Sequence, residues 1–345
     1  MASGATIDVP SLTRLGVDAF RHAGLSTDNA GVSTRILVEA DMMGLHTHGV
    51  VRIPAYTNRL RSGGVDAHAA IRVDKRAPSL AVVDGNNGLG TVVGARALDA
   101  ALEMVAETGI AYVGCRNSNH FGALAPYALQ ACDGGYVFAG GTNASTTMAP
   151  WGGKEARMGN NPLCIAAPCR DGLHFILDMA MSVAARGKIR AAHTSGAPIP
   201  EGWALDGSGN PTTNAAEALA GFLLPFGAYK GSGLAMAVDI LSGVLSGARF
   251  LTDVSSWSDE PDAPSGVGHF FLLLDPVKML GPAGFAAAMD RFKNIVLTTP
   301  PARSTTPVVF PGQREQERRR AAMQDGIALS QDLLASLQQL ARGPA

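Results

Sequence analysis

The chain has 345 residues, 46% hydrophobic and 17% charged, with 28 basic against 29 acidic side chains and a formal charge of −1. That length allows two or three domains with a sizeable core, and its charge balance offers no basic face for nucleic acid or an anionic membrane. No apolar run approaches the length of a bilayer span, and Met1 to Asp8 lacks the basic start and apolar core of an export signal.

Residues 8–43 read as helices. Asp8-Val9-Pro10-Ser11 resembles a capped start, with Leu12, Leu15, Ala19 and Phe20 at helical spacing, and Ser26 or Thr27 caps a second helix. A third helical segment runs from about His48 to Leu60 and stops at Ser62-Gly63-Gly64, with Pro54 near its first turn. From about residue 71 the texture changes. Residues 79–84 form a strand, 95–108 an amphipathic helix, and 110–115, 136–139, 163–167 and 174–178 further strands. A helix follows from about 179 toward Arg190. Residues 231–245 are apolar almost all round and predict a buried helix. A late strand spans 269–275, residues 281–294 and 313–341 read as helices, and 252–266 and 300–312 as loops.

The 41 glycines are not periodic and cluster where backbone could approach a ligand closely. Gly88-Leu89-Gly90-Thr91-Val92-Val93-Gly94, between a strand and a helix, looks like a dinucleotide fingerprint, but its glycine spacing is one residue too long. The next strand ends in Arg116 and Asn117, with no acid to hold a ribose. A turn packed under a helix is the preferred reading, although pattern alone leaves an NADP-type Rossmann site using Arg116 open. Cys115, Cys132, Cys164 and Cys169 form no C-x-x-C pair and read as reduced packing thiols of a cytoplasmic protein.

The segment Thr47-His48-Gly49-Val50-Val51-Arg52 carries the sharpest chemistry. On a helix, His48 and Arg52 would share a face. An imidazole can exchange a proton with a substrate oxygen while a guanidinium grips a carboxylate through two parallel N–H bonds. That pair suits a small 2-hydroxy or 2-oxo acid. His46 and His48 are too few for a closed metal site, so no metal is expected. The competing classes are a lyase acting on a carboxylate substrate and a non-catalytic ligand-binding protein.

Separated motifs then line up in order: Thr47-His48-Gly49 with Arg52 and Tyr56, Asn117-Ser118-Asn119-His120-Phe121-Gly122, Met148-Ala149-Pro150-Trp151-Gly152-Gly153 and Gly159-Asn160-Asn161-Pro162. Leu177-Asp178-Met179-Ala180, Arg186-Gly187-Lys188-Ile189, Ile199-Pro200-Glu201-Gly202-Trp203-Ala204, Lys230-Gly231 and Pro311-Gly312-Gln313-Arg314 complete the series. Along essentially its whole length the chain resembles the malate/L-lactate dehydrogenase family, which includes ureidoglycolate and sulfolactate dehydrogenases, diketogulonate reductase and piperideine-carboxylate reductase. The resemblance implies an α/β fold whose cofactor domain is a non-Rossmann mixed or antiparallel sheet, residues 77–304. A helical domain would be built from both chain ends, 1–76 with 305–345. It implies a homodimer using NAD or NADP to interconvert a small 2-hydroxy acid and a 2-oxo acid.

Carried over residue by residue, the resemblance makes His48 the acid/base, Arg52 the carboxylate clamp, Thr47 the neighbouring hydroxyl and His120 a second catalytic candidate. Asn160 would lie near the substrate. His120, Phe121, Gly122, Asp178, Met179, Ala180, Arg186, Gly187, Lys230, Gly312 and Arg314 match cofactor-contacting positions. Two departures stand out. Thr47 replaces the usual serine, and Lys188 stands where the imino-acid reductase branch carries a relay acid. The second argues for the hydroxy-acid branch over the alternative, an NADPH-dependent reductase of cyclic imino acids such as piperideine- or pyrroline-carboxylate.

Overall fold

A computed structural model describes residues 4–302 and 307–343. The two ends of the chain meet. Strand β1 (Gly4–Ile7) leads into helices α1 (Val9–His22) and α2 (Thr27–Met42), capped by Asp8 and Ser26 as expected. Two short 3-10 turns, His46–His48 and Val50–Arg52, precede α3 (Ile53–Ser62). The helix expected from His48 therefore begins five residues later, because Gly49 breaks the chain at φ −91°, ψ −149°.

The central segment holds β2 (Arg72–Ala77), β3 (Leu80–Asp84), α4 (Gly90–Thr108), β4 (Ile110–Ser118), α5 (Ala125–Asp133), β5 (Val137–Thr142), β6 (Leu163–Ala167) and β7 (Phe175–Met179). Next come α6 (Arg186–Ser195), the short strands β8 (Ala204–Leu205) and β9 (Pro211–Thr212), α7 (Ala215–Ala220), β10 (Phe222–Leu223) and α8 (Tyr229–Asp239). The chain closes with β11 (Val267–Leu274), α9 (Pro276–Leu297), α10 (Gln313–Asp325), β12 (Ile327–Ser330) and α11 (Gln331–Arg342).

Seven strands form the main sheet in the order β2-β3-β4-β11-β5-β6-β7. Only β3 and β4 pair in parallel; every other neighbour is antiparallel. This is the mixed, non-Rossmann sheet expected. Helices α4 and α5 cover it, closing a core of Val83, Leu98, Met104, Val113, Phe138 and Phe271. A second core joins the chain ends: Leu12, Phe20, Leu37, Ile53 and Leu337 pack together, and β1 pairs antiparallel with β12.

The glycine run before α4 has a packing purpose. The helix starts at Gly90, not Ala95, and a Cβ there would lie 2.1 Å from the Asn119 carbonyl oxygen and 2.4 Å from that of His120. A Cβ on Gly94 would meet Phe121 and Tyr127 at 2.9 Å. The glycines let the helix press against the loop bearing His120, and Arg116 is taken by an ion pair with Asp84 at 3.0 Å.

Other expectations shift. The helix expected from 179 starts only at Arg186, because β7 runs on through Met179. The expected helix 313–341 is two helices split at Gly326 (φ 83°) by β12, whose Ile327 and Leu329 point inward with the period of a strand. The apolar 231–245 stretch is not wholly buried. It ends in a π turn, Ile240–Val244, and Leu234, Met236, Ile240, Val244 and Leu245 are exposed on the single chain.

Candidate active site

The site begins at the end of α2. Asp41, its side chain 2% exposed, accepts the Val50 backbone N–H at 2.6 Å through one oxygen. Its other oxygen meets His46 Nδ1 at 2.9 Å. One buried carboxylate thus pins both sides of the turn that presents His48. Gly49 is required by this contact, since a Cβ would fall 2.1 Å from Asp41 Oδ2.

His48 and Arg52 do not share a helical face, but the turns still bring them together. Arg52 Nε donates to the Thr47 carbonyl oxygen at 2.6 Å, and Thr47 Oγ1 lies 2.9 Å from His48 Nδ1. The His120 ring stacks against that of His48, centroids 5.7 Å apart and planes 25° from parallel. Tyr56, from α3, hydrogen-bonds His120 Nδ1. Trp257, from the loop before β11, packs 5.2 Å from the His120 ring and lies under the Arg52 guanidinium at 5.2 Å.

Burial and cationic neighbours set the charge state. Burial, then Arg52, lowers the His48 pKa to about 4, so the imidazole is a neutral base near neutral pH. Burial first, then Arg52, His48, His269 and Arg59, holds His120 well below the usual histidine range. Burial pushes the Tyr56 phenol above its ordinary value, so it keeps its proton. Burial also depresses Arg52, with Arg190 contributing repulsion. A guanidinium in this setting gains from a ligand carboxylate.

A chain of backbone bonds ties the other expected residues to one region. The Asn160 carbonyl accepts from Met181 N, next to Ala180; the Met181 carbonyl accepts from Phe226 N; the Phe226 carbonyl accepts from Gly231 N, beside Lys230. Pro311 O accepts from Ile176 N, and the backbone of Gly312 (φ 83°) presses on Ile176, near Asp178 and Met179. Asp178 accepts the Leu124 and Ala125 N–H groups at 3.0 and 2.8 Å, holding the start of α5 behind the His120 loop. Burial raises its carboxyl to about 6. The Asp178 carboxylate is thus engaged within the protein. The Phe121 ring, 1% exposed and stacked on His269 at 4.0 Å, is core, so only its backbone is offered to a ligand. Gly122 (φ 87°) backs onto the His48 carbonyl, and Gly187 lies exposed in the first turn of α6.

The donor set fits a dinucleotide. Lys230 and Arg314 are exposed, Arg186 is half-buried, and none forms an ion pair among the described residues. The buried Thr147 Oγ1 has no hydrogen-bond partner, and its loop joins the same region through Thr147 O and Leu223 N. Cations without an ion-pair partner among the described residues, Arg186 donating only to the Leu219 carbonyl, and an orphaned hydroxyl suit a diphosphate with polar appendages. Among the described residues no cluster of three or more His, Cys, Asp or Glu could hold a metal ion.

Sequence reading missed several contributors. Asp41 is one of several polar residues on α2, with no spacing to single it out, and Trp257 sits in a loop without periodicity. The buried Arg59 donates to the Pro261, Gly64 and Ala263 carbonyls and to Asn119 Oδ1, lashing the Trp257 loop to α3 and to the His120 loop. A Trp in a polar loop and an Arg seven residues after Arg52 were the available signals.

A family model described as malate/L-lactate dehydrogenase matches residues 7–338. The L-sulfolactate dehydrogenase of Methanocaldococcus jannaschii is 35% identical over 95% of this chain and 94% of its own. A solved sulfolactate dehydrogenase from that organism superposes with a TM-score of 0.91, covering 98% of this chain and 97% of that one at 33% identity. The NADP(+)-dependent (2R)-3-sulfolactate dehydrogenase of Chromohalobacter salexigens is 40% identical over 76% of this chain and 78% of its own. The NAD(+)-dependent ureidoglycolate dehydrogenase of Escherichia coli K12 is 32% identical over 90% and 89%.

Proposed function

The chain belongs to the malate/L-lactate dehydrogenase family, and we propose how its site handles the substrate. It is an NAD(P)-dependent oxidoreductase that interconverts a 2-hydroxy acid and a 2-oxo acid. When bound, NAD or NADP supplies the hydride for reduction or accepts it in oxidation. Lys230, Arg186, Gly187 and Arg314, with the backbones at His120–Gly122, Asp178–Ala180 and Gly312, would hold it. Arg52 takes the substrate carboxylate, and Asn160 lies beside the substrate. His48 moves the proton: neutral, it takes the hydroxyl proton in oxidation; protonated, it returns one to the C2 oxygen. Thr47 accepts from the His48 Nδ1–H and holds the ring as the charge changes.

The observation that carries this reading is the mutual contact of His48, His120, Tyr56, Arg52 and Trp257, with the guanidinium beside a neutral imidazole. The imino-acid alternative is less favoured, since Lys188, an exposed cation, stands where that branch carries its relay acid. Malate, lactate, sulfolactate, ureidoglycolate and sugar-derived acids form the substrate panel, tested as 2-oxo or 2-hydroxy acids with both cofactors. Substrate-dependent change in nicotinamide absorbance, unaffected by chelator, supports the reading. Silence across the panel, or loss of activity in chelator that zinc restores, overturns it.

The division into 1–76 with 305–345 and 77–304 belongs to the same proposal. We further infer a homodimer, because Leu234, Met236, Ile240, Val244 and Leu245 leave an apolar surface uncovered. Phe222 and Leu223 lie buried within the chain and add nothing to that surface. Light scattering should give twice the 35.6 kDa chain mass, and a clean monomer would remove the inference. Among the described residues no helix is long and apolar enough to cross a membrane. The four free, buried cysteines fit a reducing, cytoplasmic setting.

A further inference from the structure

Two imidazoles stack at the proposed substrate site, and hydrogen-bond accounting separates what each can do. Tyr56 is 2% exposed, and the only acceptor within reach of its hydroxyl, among the described residues, is Nδ1 of His120. A neutral imidazole carries one proton and a phenol carries one. If the imidazole proton sat on Nδ1, it would donate to the phenol oxygen and leave a buried O–H with no acceptor, a destabilising arrangement. If the phenol donates instead, both groups are satisfied. The His120 proton then sits on Nε2, which has no protein partner among the described residues. The ring stacks on His48 and lies tilted by 34° against Trp257, with Arg52 and Arg59 the charged groups facing it and His48 and His269 the titratable ones.

His48 is held differently. Its Nδ1 partner is the exposed hydroxyl of Thr47, which rotates and accepts as readily as it donates. His48 can therefore carry its proton on Nδ1 and offer an open Nε2 lone pair, or carry both protons, without leaving a buried group unpaired. His120 can offer a lone pair at Nε2 only by displacing the Tyr56 proton.

We propose that Tyr56 locks His120 in its Nε2–H tautomer, so that His120 grips the C2 oxygen as a hydrogen-bond donor while His48 alone transfers the proton. This rests on the dehydrogenase reading above. In reduction, hydride adds to C2, the carbonyl π pair moves to oxygen, and that oxygen takes the Nε2 proton of His48 imidazolium. His120 keeps its own proton throughout, and solvent restores the one His48 gave. Oxidation reverses each step. Tyr56 is a positioning residue acting through His120.

The test begins with the full-length protein labelled with ¹⁵N-histidine and needs no substrate. A long-range ¹⁵N–¹H correlation spectrum should show, for the resonance that disappears in His120→Gln, an unprotonated Nδ1 and a protonated Nε2. Tyr56→Phe should turn that signature into a tautomer mixture. Glutamine also presents an N–H where Nε2–H was, with no acid–base capacity. His120→Gln should therefore lower turnover less than His48→Gln, which loses ~10²–10⁴-fold, and should leave the pH profile of the remaining activity that of the wild type. A protonated Nδ1 on wild-type His120 overturns the proposal, as does His120→Gln falling as far as His48→Gln. If Tyr56→Phe does not fold, the wild-type spectrum decides by itself. An inactive wild-type enzyme would count against the dehydrogenase reading and leave the tautomer measurement standing.

Discussion

Asp41→Ala tests whether the catalytic turn is held by one buried carboxylate. The substitution removes an acceptor 2.6 Å from Val50 N, at a residue with no exposed surface, and leaves that N–H without a partner. Hydrogen bonds to charged acceptors contribute about 1.5–3 kcal/mol, and an orphaned buried donor costs about 1–3 kcal/mol, two views of one overlapping loss. The His46 contact adds about 0–1 kcal/mol, because its ring is mostly exposed. Asp41→Ala should therefore cost about 2–4 kcal/mol, and Asp41→Asn, which keeps an oxygen for Val50, about 1 kcal/mol. The hydrogen bond to Asp41 raises the His46 pKa above 6.5, so that part of the loss is fullest below pH 6.5 and fades as pH rises through the folded value. Urea unfolding of wild type and both variants at two pH values reads these differences, and turnover should fall in the same order because His48 is two residues from Val50. Asp41→Ala within 0.5 kcal/mol of wild type (roughly the range of neutral surface substitutions), with normal turnover, would refute the anchoring.

Arg52→Lys keeps a positive charge but loses the fork, so kcat/KM for the acid should fall by an amount equivalent to roughly 2–5 kcal/mol and much less for the matching amide; equal losses would remove Arg52 from the carboxylate. Acid should destabilise the fold: His48 at about 4, His269 at about 3 and His120 well below 6.5 stay neutral while their unfolded counterparts protonate, so stability present above pH 6.5 is lost as pH falls toward these values. Asp178, raised to about 6, works in the opposite sense and loses its contribution as pH rises through that value. The three histidines outweigh the raised Asp178, so unfolding takes up protons in acid, and a flat denaturation midpoint between pH 7 and about pH 4 would contradict this. Trp257→Leu removes a cation–π contact worth about 0.5–2 kcal/mol and should raise KM for the acid more than it lowers kcat; unchanged KM would show that the Trp257 wall does not shape the clamp.

The sequence was readable where periodicity or caps carried the signal. Asp8 and Ser26 marked their helices, and strand β6 is found at the residues expected, 163–167. The motif residues His48, Arg52 and His120 converge although His48 and His120 are 72 positions apart. What was hidden depends on tertiary context. The charged strand β2, Arg72–Ala77, lies at the sheet edge, where charge is tolerated and no apolar alternation is needed. Strand β12 is four residues long, below the length at which period two stands out, and exists because β1 pairs with it. The outer face of α8 looked buried because composition reports apolarity, and only packing shows which part of it this chain leaves uncovered.

The central claim is hydride transfer to C2 with His48 supplying the proton. It is tested most directly by reducing a 2-oxo acid with NAD(P)H deuterated at its transferable position and examining the product by mass spectrometry and NMR. Wild type should place one deuterium on C2 of the 2-hydroxy acid, and His48→Ala should make the same labelled product ~10²–10⁴-fold more slowly. Product without deuterium at C2 or near wild-type turnover by His48→Ala would contradict the account.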